Sequence, residues 1–568
     1  MNNIKNSITL NLLINLGFGF LIYYFHEIFS YSLILVFFYV IYLLSNNVVE
    51  KFLNSLFNFL NIRNKLKLNN IYIECSLLFL FLFITQLSLI NYETIDWDIA
   101  TYMLVANDIG NGNLPYVTQW DDKGPLLYYF YYFLSSLAGD NFLIFKIFSD
   151  IVLFLITLNL YLIIKRLFPN NNGSPFLGSM IFLLFMSLPW ATSEYSELFS
   201  LFFLSLSINM ILNYIKNKRN QYLFISGMLF GMSTLTNQGS GIFIICFVLL
   251  LFLENNLYRD ILKFVSGIVV PHILFLFIYF INGSTEIYLT TLFKIPLLYA
   301  SSGSNNSINE LIIFLRELYF SNIDLFLILI LLGILKISES INYFKNKNTN
   351  FSKESLITMG FLITSFIFYF LSSSGYKHHL FFVFFFISLI SLNSKKDIEK
   401  KILIVALVVS FGIAMFNHFN KSVNNLNIAN LYENYPLKMV AKIINDNFVE
   451  GEDYSVFALD FNLISYYLDK PNSSKIIHPT NYKEESIYKE LVQIEYISDN
   501  EIAEQISKKP DVIICSGETK FLFDSYPCNI EDIFPDYIKL ELDKYFESTN
   551  RSYFKDPYRS FEIYIKQS

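Results

Sequence analysis

The residues best suited to chemistry in this sequence of 568 lie between Asn91 and Asn141. Seven acids (Glu93, Asp96, Asp98, Asp108, Asp121, Asp122 and Asp140) share that stretch with a single base, Lys123. Carboxylates can take a proton, cap a helix or offer hard oxygen ligands to a divalent cation. Asp98 opens the segment 98–109, where Ile99, Met103 and Ala106 form an apolar stripe at helical spacing. It is therefore the candidate base, with helix capping as the alternative and compatible reading and Asp96 as its competitor. Lys123 stands beside Asp121 and Asp122, just ahead of Pro125, and on the residues alone could be a surface ion pair. Two further groups share the predicted outer face: Glu194 and Glu197 in a very short turn, and Lys377, His378 and His379 just before an apolar run. Either group could belong to a site, or be a solvated turn and interfacial snorkelling respectively. His272, behind Pro271, reads as a packing residue, and His478 in HPTNY as a turn stabiliser.

The elements that must position these groups are membrane spans. The chain is 54% hydrophobic and 16% charged, and runs such as 76–90 and 381–392 would fill the hydrocarbon core of a bilayer. A hydropathy pass gives about thirteen spans, near 8–24, 28–45, 71–90, 143–164, 176–190, 197–215, 221–236, 239–253, 264–282, 322–336, 356–372, 379–393 and 402–417. Alternate connections carry the bases, among them Lys165, Arg166, Lys216, Lys218, Arg219, Lys395 and Lys396. That asymmetry puts the N-terminus in the cytoplasm and the segment 91–141 outside. The first apolar run lacks a small-residue cleavage site and reads as part of a retained hairpin. A connection this long, acidic and anchored by Trp97 and Trp120 is a working loop rather than a linker.

The expected organisation is a terminal hairpin with its cytoplasmic connection (1–70), a membrane module (71–417) and a small outer α/β domain (418–568). In the last, 436–444 has helical periodicity, 453–459 and 510–517 read as buried strands, and 560–566 as an alternating strand. No GxGxxG turn or P-loop lysine motif supports nucleotide binding, and a net charge of −7 does not suggest nucleic acid. No Cys/His cluster has zinc spacing. Cys75 and Cys246 read as apolar filler; Cys515 and Cys528 read as two thiols in preference to a bridge, although the outer compartment permits one.

The order Asp98, Tyr102, Gly112, Pro115-Tyr116, then Trp120-Asp-Asp-Lys-Gly-Pro-Leu126 resembles the GT-C membrane glycosyltransferases. Within them it is similar to the branch of protein O-mannosyltransferases and lipid A aminoarabinose transferases. The segments 193–208, 231–242 and 374–385 are similar to later parts of that pattern, and the tail to its small outer domain. Ile99, Gly124 and Asn237 depart from it, standing where the family usually has Glu, Pro and often Lys.

The resemblance implies an α-helical polytopic fold of the GT-C type in the inner (plasma) membrane, and a sugar donor carried on polyprenyl phosphate. It implies transfer, with inversion, to an outer lipid, glycan or protein. Asp98 and Asp122 would then be the catalytic carboxylates, Asp98 as the base and Asp122 either orienting Lys123 or helping to hold the acceptor. Lys123, Lys377, His378 and His379 would hold the donor phosphate, and Asp96, Tyr102, Glu194 and Glu197 would support the acceptor side. No cofactor is implied; a divalent cation is the one candidate, and retention of activity in chelator is the expectation. Two other classes fit many spans: a flippase or transporter of lipid-linked glycans, and a non-catalytic envelope glycan-binding protein. Transporters usually show paired halves and mid-membrane polar groups, whereas here the halves differ and the polar chemistry gathers in outer loops.

Overall fold

The structure is a computed structural model. It describes residues 70–93, 97–139, 141–169, 174–252, 257–301, 306–345, 353–372, 375–390, 397–449, 451–482, 484–516, 536–540 and 561–567. The hairpin expected within 1–70, Asp96 and Cys528 lie outside them.

The membrane module begins with α1 (Asn70–Leu87), α2 (Trp97–Gly110), α3 (Pro125–Ala138), α4 (Phe142–Leu167), α5 (Ser174–Phe185), α6 (Ser196–Asn217) and α7 (Asn220–Thr236). A 3-10 turn, Gln238–Phe243, leads into α8 (Ile244–Phe252), α9 (Leu257–Ile281) and α10 (Thr285–Leu289). Thr290–Lys294 is a turn of π-helix. It is followed by α11 (Ile295–Ser301), α12 (Asn306–Ser321), α13 (Ile323–Lys345) and α14 (Lys353–Leu371). The 3-10 turn Lys377–Leu380, α15 (Phe381–Ile390) and α16 (Asp397–Asn424) complete the module.

Among the described residues five helices are long and apolar enough to cross a membrane (α4, α6, α9, α14 and α16), or six if α12 and α13, bent by 120°, count as one span. Shorter apolar helices occupy other expected spans, including α1 and α5. The expected outer loop is largely helical. Its α2 matches the expected helix 98–109 to within a residue at each end, and Pro125 starts α3, where a fixed φ and a missing N–H cost nothing.

Small and hydroxylated residues bring α6, α7 and α9 together. A Cβ on Gly227 would lie 2.0 Å from the Phe264 carbonyl oxygen, and one on Gly267 would lie 2.2 Å from that of Phe224. Only glycine permits such an approach of backbones. Across the α6–α7 seam Ser207 donates to the Ser226 carbonyl at 2.7 Å, and the Ser200 and Ser233 hydroxyls are 2.8 Å apart. These bonds satisfy hydroxyls that lipid could not, and they fix the register of the two helices. The seam ends at Glu197 on α6 and Asn237 after α7.

The C-terminal domain, the one expected on the outer face, follows α16 through α17 (Ile428–Glu433) and α18 (Pro436–Asn445). It continues with β1 (Val456–Ala458), α19 (Leu463–Tyr467), a 3-10 turn (Pro479–Tyr482), α20 (Glu485–Gln493), α21 (Glu501–Ser507), β2 (Val512–Ser516), β3 (Tyr537–Lys539) and β4 (Phe561–Lys566). The sheet order is β1-β2-β4-β3, with β1 parallel to β2 and the other pairs antiparallel. Cys515 on β2 is disulfide-bonded, which corrects the expectation of a thiol there. Spacing alone could not reveal a Cα separation.

The outer domain is seated on the module by backbone as well as side chains. Trp120 N–H donates to the Lys475 carbonyl at 2.6 Å and its carbonyl accepts from Ile477 N–H at 3.4 Å, forming a parallel bridge. Gln119 donates to the Asn472 carbonyl at 3.0 Å, and the Glu93 carboxylate accepts the Leu437 and Lys438 amides at 2.8 and 3.0 Å. Glu93 thus caps α18 from outside its own segment, satisfying amides that no intrahelical carbonyl reaches.

Candidate active site

Asp98 sits in the first turn of α2 and is buried. Its Oδ2 accepts from the Tyr102 hydroxyl, one turn on, at 3.0 Å. Its Oδ1 lies 2.7 Å from Nε2 of His478, a residue of the outer domain. On the far side of that imidazole, Nδ1 accepts the Thr480 amide at 3.2 Å and lies 2.7 Å from its hydroxyl. The amide contact selects the tautomer in which Nε2–H points at Asp98. The hydroxyl can turn to accept a bond from Nδ1 when the ring is charged.

Burial pushes the Asp98 carboxyl up. The His478 hydrogen bond and the charges of Lys123, His478 and His378 outweigh it and hold the group well below the usual carboxylate range. His478 shows the reciprocal effect: burial pushes it down, but Asp98, Asp121 and Asp122 bring it above an ordinary imidazole. Asp98 is therefore an ionised carboxylate at neutral pH.

Lys123 lies against the same cavity and pairs with Asp122, Nζ to Oδ1, at 2.9 Å. Burial disfavours its charge, but Asp122, Asp98 and Asp121 more than restore it, so it stays an ammonium. Its backbone is pinned between two tyrosines: its N–H donates to the Tyr128 hydroxyl at 3.2 Å and its carbonyl accepts from Tyr116. Tyr116 has a φ of 70°, in the left-handed region. Trp120 is wholly buried, and its indole N–H donates to Thr291 of the π-helical turn at 2.9 Å. Asp121 turns inward, accepting from Tyr128 at 2.7 Å. Its burial and the adjacent Asp122 charge raise it to about 6.

At the top of α6, Glu197 is fully buried, with Oε1 3.4 Å from Nε2 of His379 and 4.0 Å from that of His378. Asn237 donates to the same oxygen at 3.1 Å. His378 also lies 3.9 Å from Asp98 Oδ2 and stacks on the Tyr195 ring at 4.6 Å. Glu197, His378 and His379 present donor atoms within 4.8 Å of one another, close enough to share one cation.

The structure thus brings Asp98, Asp122, Lys123, Glu197, His378 and His379 to one cavity, with Tyr102 behind Asp98. It does not bring the rest. Glu194 faces away, 3.8 Å from the buried Lys146, in a separate charged group with Asp150. Lys377 is held outside by Glu317 at 2.6 Å. His478 was missed because HPTNY has no periodic or motif signal; only the fold carries it to Asp98. The departure at Gly124 has a cause: a Cβ there would meet the Leu235 carbonyl oxygen at 2.0 Å. Ile295, Pro296, Tyr299, Phe368 and Leu371 form the cavity's apolar wall.

The structure is thus a helical membrane module whose helices converge on a carboxylate–lysine–histidine cavity beneath a small sheet domain. Residues 122–281 match the family described as dolichyl-phosphate-mannose-protein mannosyltransferase. Among solved structures, the chain is similar to that of ArnT from Cupriavidus metallidurans bound to undecaprenyl phosphate. That match has a TM-score of 0.53 and 11% identity, covering 78% of this chain and 93% of the other. The apo form of the same protein gives a TM-score of 0.53 and 11% identity, covering 77% and 91%. No curated protein matches the sequence significantly.

Proposed function

We propose that this protein is a membrane glycosyltransferase that moves a sugar from a polyprenyl-phosphate carrier to a hydroxyl on the outer face of the membrane. The observation that carries the reading is one cavity holding a buried ionised carboxylate, a pinned lysine and an apolar wall. The family match over 122–281 and the fold shared with a protein that binds undecaprenyl phosphate support the donor class.

Lys123 holds the donor phosphate, with His378 and His379 lining the same side, and the isoprenoid lies along Ile295, Tyr299, Phe368 and Leu371. The acceptor oxygen attacks the anomeric carbon from the face opposite the phosphate. Its O–H bond breaks as the new C–O bond forms, and the electron pair of the old glycosidic bond leaves on the phosphate. Asp98 accepts the proton late, when the attacking oxygen has become strongly acidic, and the departing phosphate monoester is its final home. Lys123 offsets the charge that grows on the leaving group. Asp122 orients Lys123.

We read the site as lying on the outer face. Two spans support it: α6 begins at the cavity with Glu197 and ends at Lys216, and α4 begins against the C-terminal domain, Phe142 packing on Tyr466, and ends at Lys165–Arg166. A cysteine introduced at the exposed Glu485 should be labelled in intact cells. Purified protein should transfer radiolabel from a polyprenyl-phosphate sugar to an outer-envelope acceptor fraction. Movement of intact labelled donor across proteoliposomes, without transfer, would instead make this a lipid-carrier transporter.

A further inference from the structure

We propose that the outer domain completes the active site: His478 is a positioning residue that clamps Asp98, so transfer requires the two domains to be docked. This rests on the reading of the cavity as the transfer site. The imidazole is buried and reaches Asp98 Oδ1 at 2.7 Å. Its segment has little freedom. Ile476 bridges Trp120, Tyr482 donates to the Ile476 carbonyl at 2.9 Å, and Asn462 donates to that of Ile477. The Trp97 ring, adjacent to Asp98 in sequence, packs edge-on against the imidazole with centroids 6.3 Å apart.

A carboxylate with free χ1 and χ2 would present its oxygens to the acceptor in several orientations. Tyr102 on one oxygen and His478 on the other leave one. A purely structural role would be to tie the domain to the module, but that tie already exists. The Trp120 bridge, the Gln119 bonds, Tyr496 donating to the Tyr116 carbonyl at 2.6 Å and the Lys294–Glu490 pair at 2.5 Å achieve it without His478.

The charged and titratable groups around the imidazole are Asp98 on α2, Asp121, Asp122 and Lys123 in the loop, and His378 on the 3-10 turn. The carboxylates favour a charged ring and the Lys123 ammonium opposes it, while His378, pushed down to about 4 by burial, is neutral in the range where His478 titrates. When His478 loses its proton, Asp98 loses a positive partner and becomes a stronger base. The rate should therefore rise with pH through the titration of His478.

The test has two arms. In the first, pH–rate profiles are measured for wild type, H478A and H478Q. H478A should lose about tenfold to a hundredfold in kcat with little change in donor KM. H478Q, which can still donate to Asp98, should recover part of that loss but lack the titration. A wild-type kcat and profile in H478A would overturn the proposal. The second arm needs neither activity nor a variant of His478. In protein labelled at its six histidines, the imidazole titration assigned to His478 is followed by NMR, in wild type and in D98N. It should shift to lower pH in D98N, where burial is less opposed. An unchanged titration would overturn the clamp even if transfer is observed. A shift without any transfer from polyprenyl-phosphate sugars would leave the clamp standing and refute the function assigned to the cavity.

Discussion

Gly124→Ala is the smallest change that the geometry says the site cannot absorb. The added Cβ would be built 2.0 Å from the Leu235 carbonyl oxygen and 2.4 Å from its carbon. Ordinary contact needs at least about 3.2 Å between carbon and oxygen, so one backbone must retreat by about 1 Å. Leu235 is in α7, which is locked to α6 by serine pairs and to α9 by glycine contacts, so the loop is the part that yields. Lys123 precedes the displaced residue and Pro125, the first residue of α3, follows it, so the ammonium moves with the backbone. A misplacement of about 1 Å at a positioning group costs on the order of a hundredfold in rate, while overpacking costs about 1–3 kcal/mol in stability. Single-turnover transfer from a labelled donor should fall by that order in G124A, with a modest drop in melting temperature in detergent. Among the described residues nothing lies within 4 Å of a would-be Cβ on Gly412 of α16, and Gly412→Ala should leave both values unchanged. A G124A enzyme that transfers at the wild-type rate would refute the claim that this contact sets the position of Lys123.

Asp98→Asn should lower the single-turnover rate by about a hundredfold or more while donor affinity changes little; a near-normal rate would reduce Asp98 to a helix cap. Lys123→Ala should weaken donor binding and also slow transfer, seen by titrating the lipid donor and timing one turnover; unchanged donor affinity would dissociate Lys123 from the phosphate. Asp121, raised from 3.8 to about 6 in the fold, holds its proton longer than in the unfolded chain. Its favourable contribution is complete below about pH 4 and lost by about pH 6, a loss of about 3 kcal/mol. Asp121→Asn should remove that decline from melting curves taken between pH 4 and 7, and an identical decline in the variant would show that another group causes it. Transfer should persist in EDTA because Lys123 already supplies positive charge to the cavity. Complete loss, restored by manganese or zinc, would instead make Glu197, His378 and His379 ligands of a cation.

Periodicity and charge made much of this legible in the sequence. The stripe of Ile99, Met103 and Ala106 located α2. The density of acids around Lys123 marked the site. What could not be read depends on distances between segments remote in sequence. Glu194 and Glu197 looked like one acidic pair, yet they straddle the start of α6, and the helical turn sends one toward Lys146 and the other toward His379. Asn237 looked like the loss of a lysine. In the fold it is a neutral donor to a buried carboxylate already faced by two histidines. His478 carried no signal because its role exists only once a segment 380 residues away is beside it.

The bridge between Trp120 and Ile476 also has a consequence for how the protein is made. The bond from Gln119 to Asn472 spans 353 residues, and at about 5–20 residues per second these partners are synthesised roughly 20–70 s apart. For that interval the segment 91–141 lacks its bridge partner at Trp120, and Asp98 lacks His478 while keeping Tyr102. A chain arrested after α16 would retain its spans and its lysine but lack the clamp on Asp98. Under the proposed function, a half-made chain would therefore sit in the membrane without consuming lipid-linked sugar, and competence would arrive only as the second domain docks on the first.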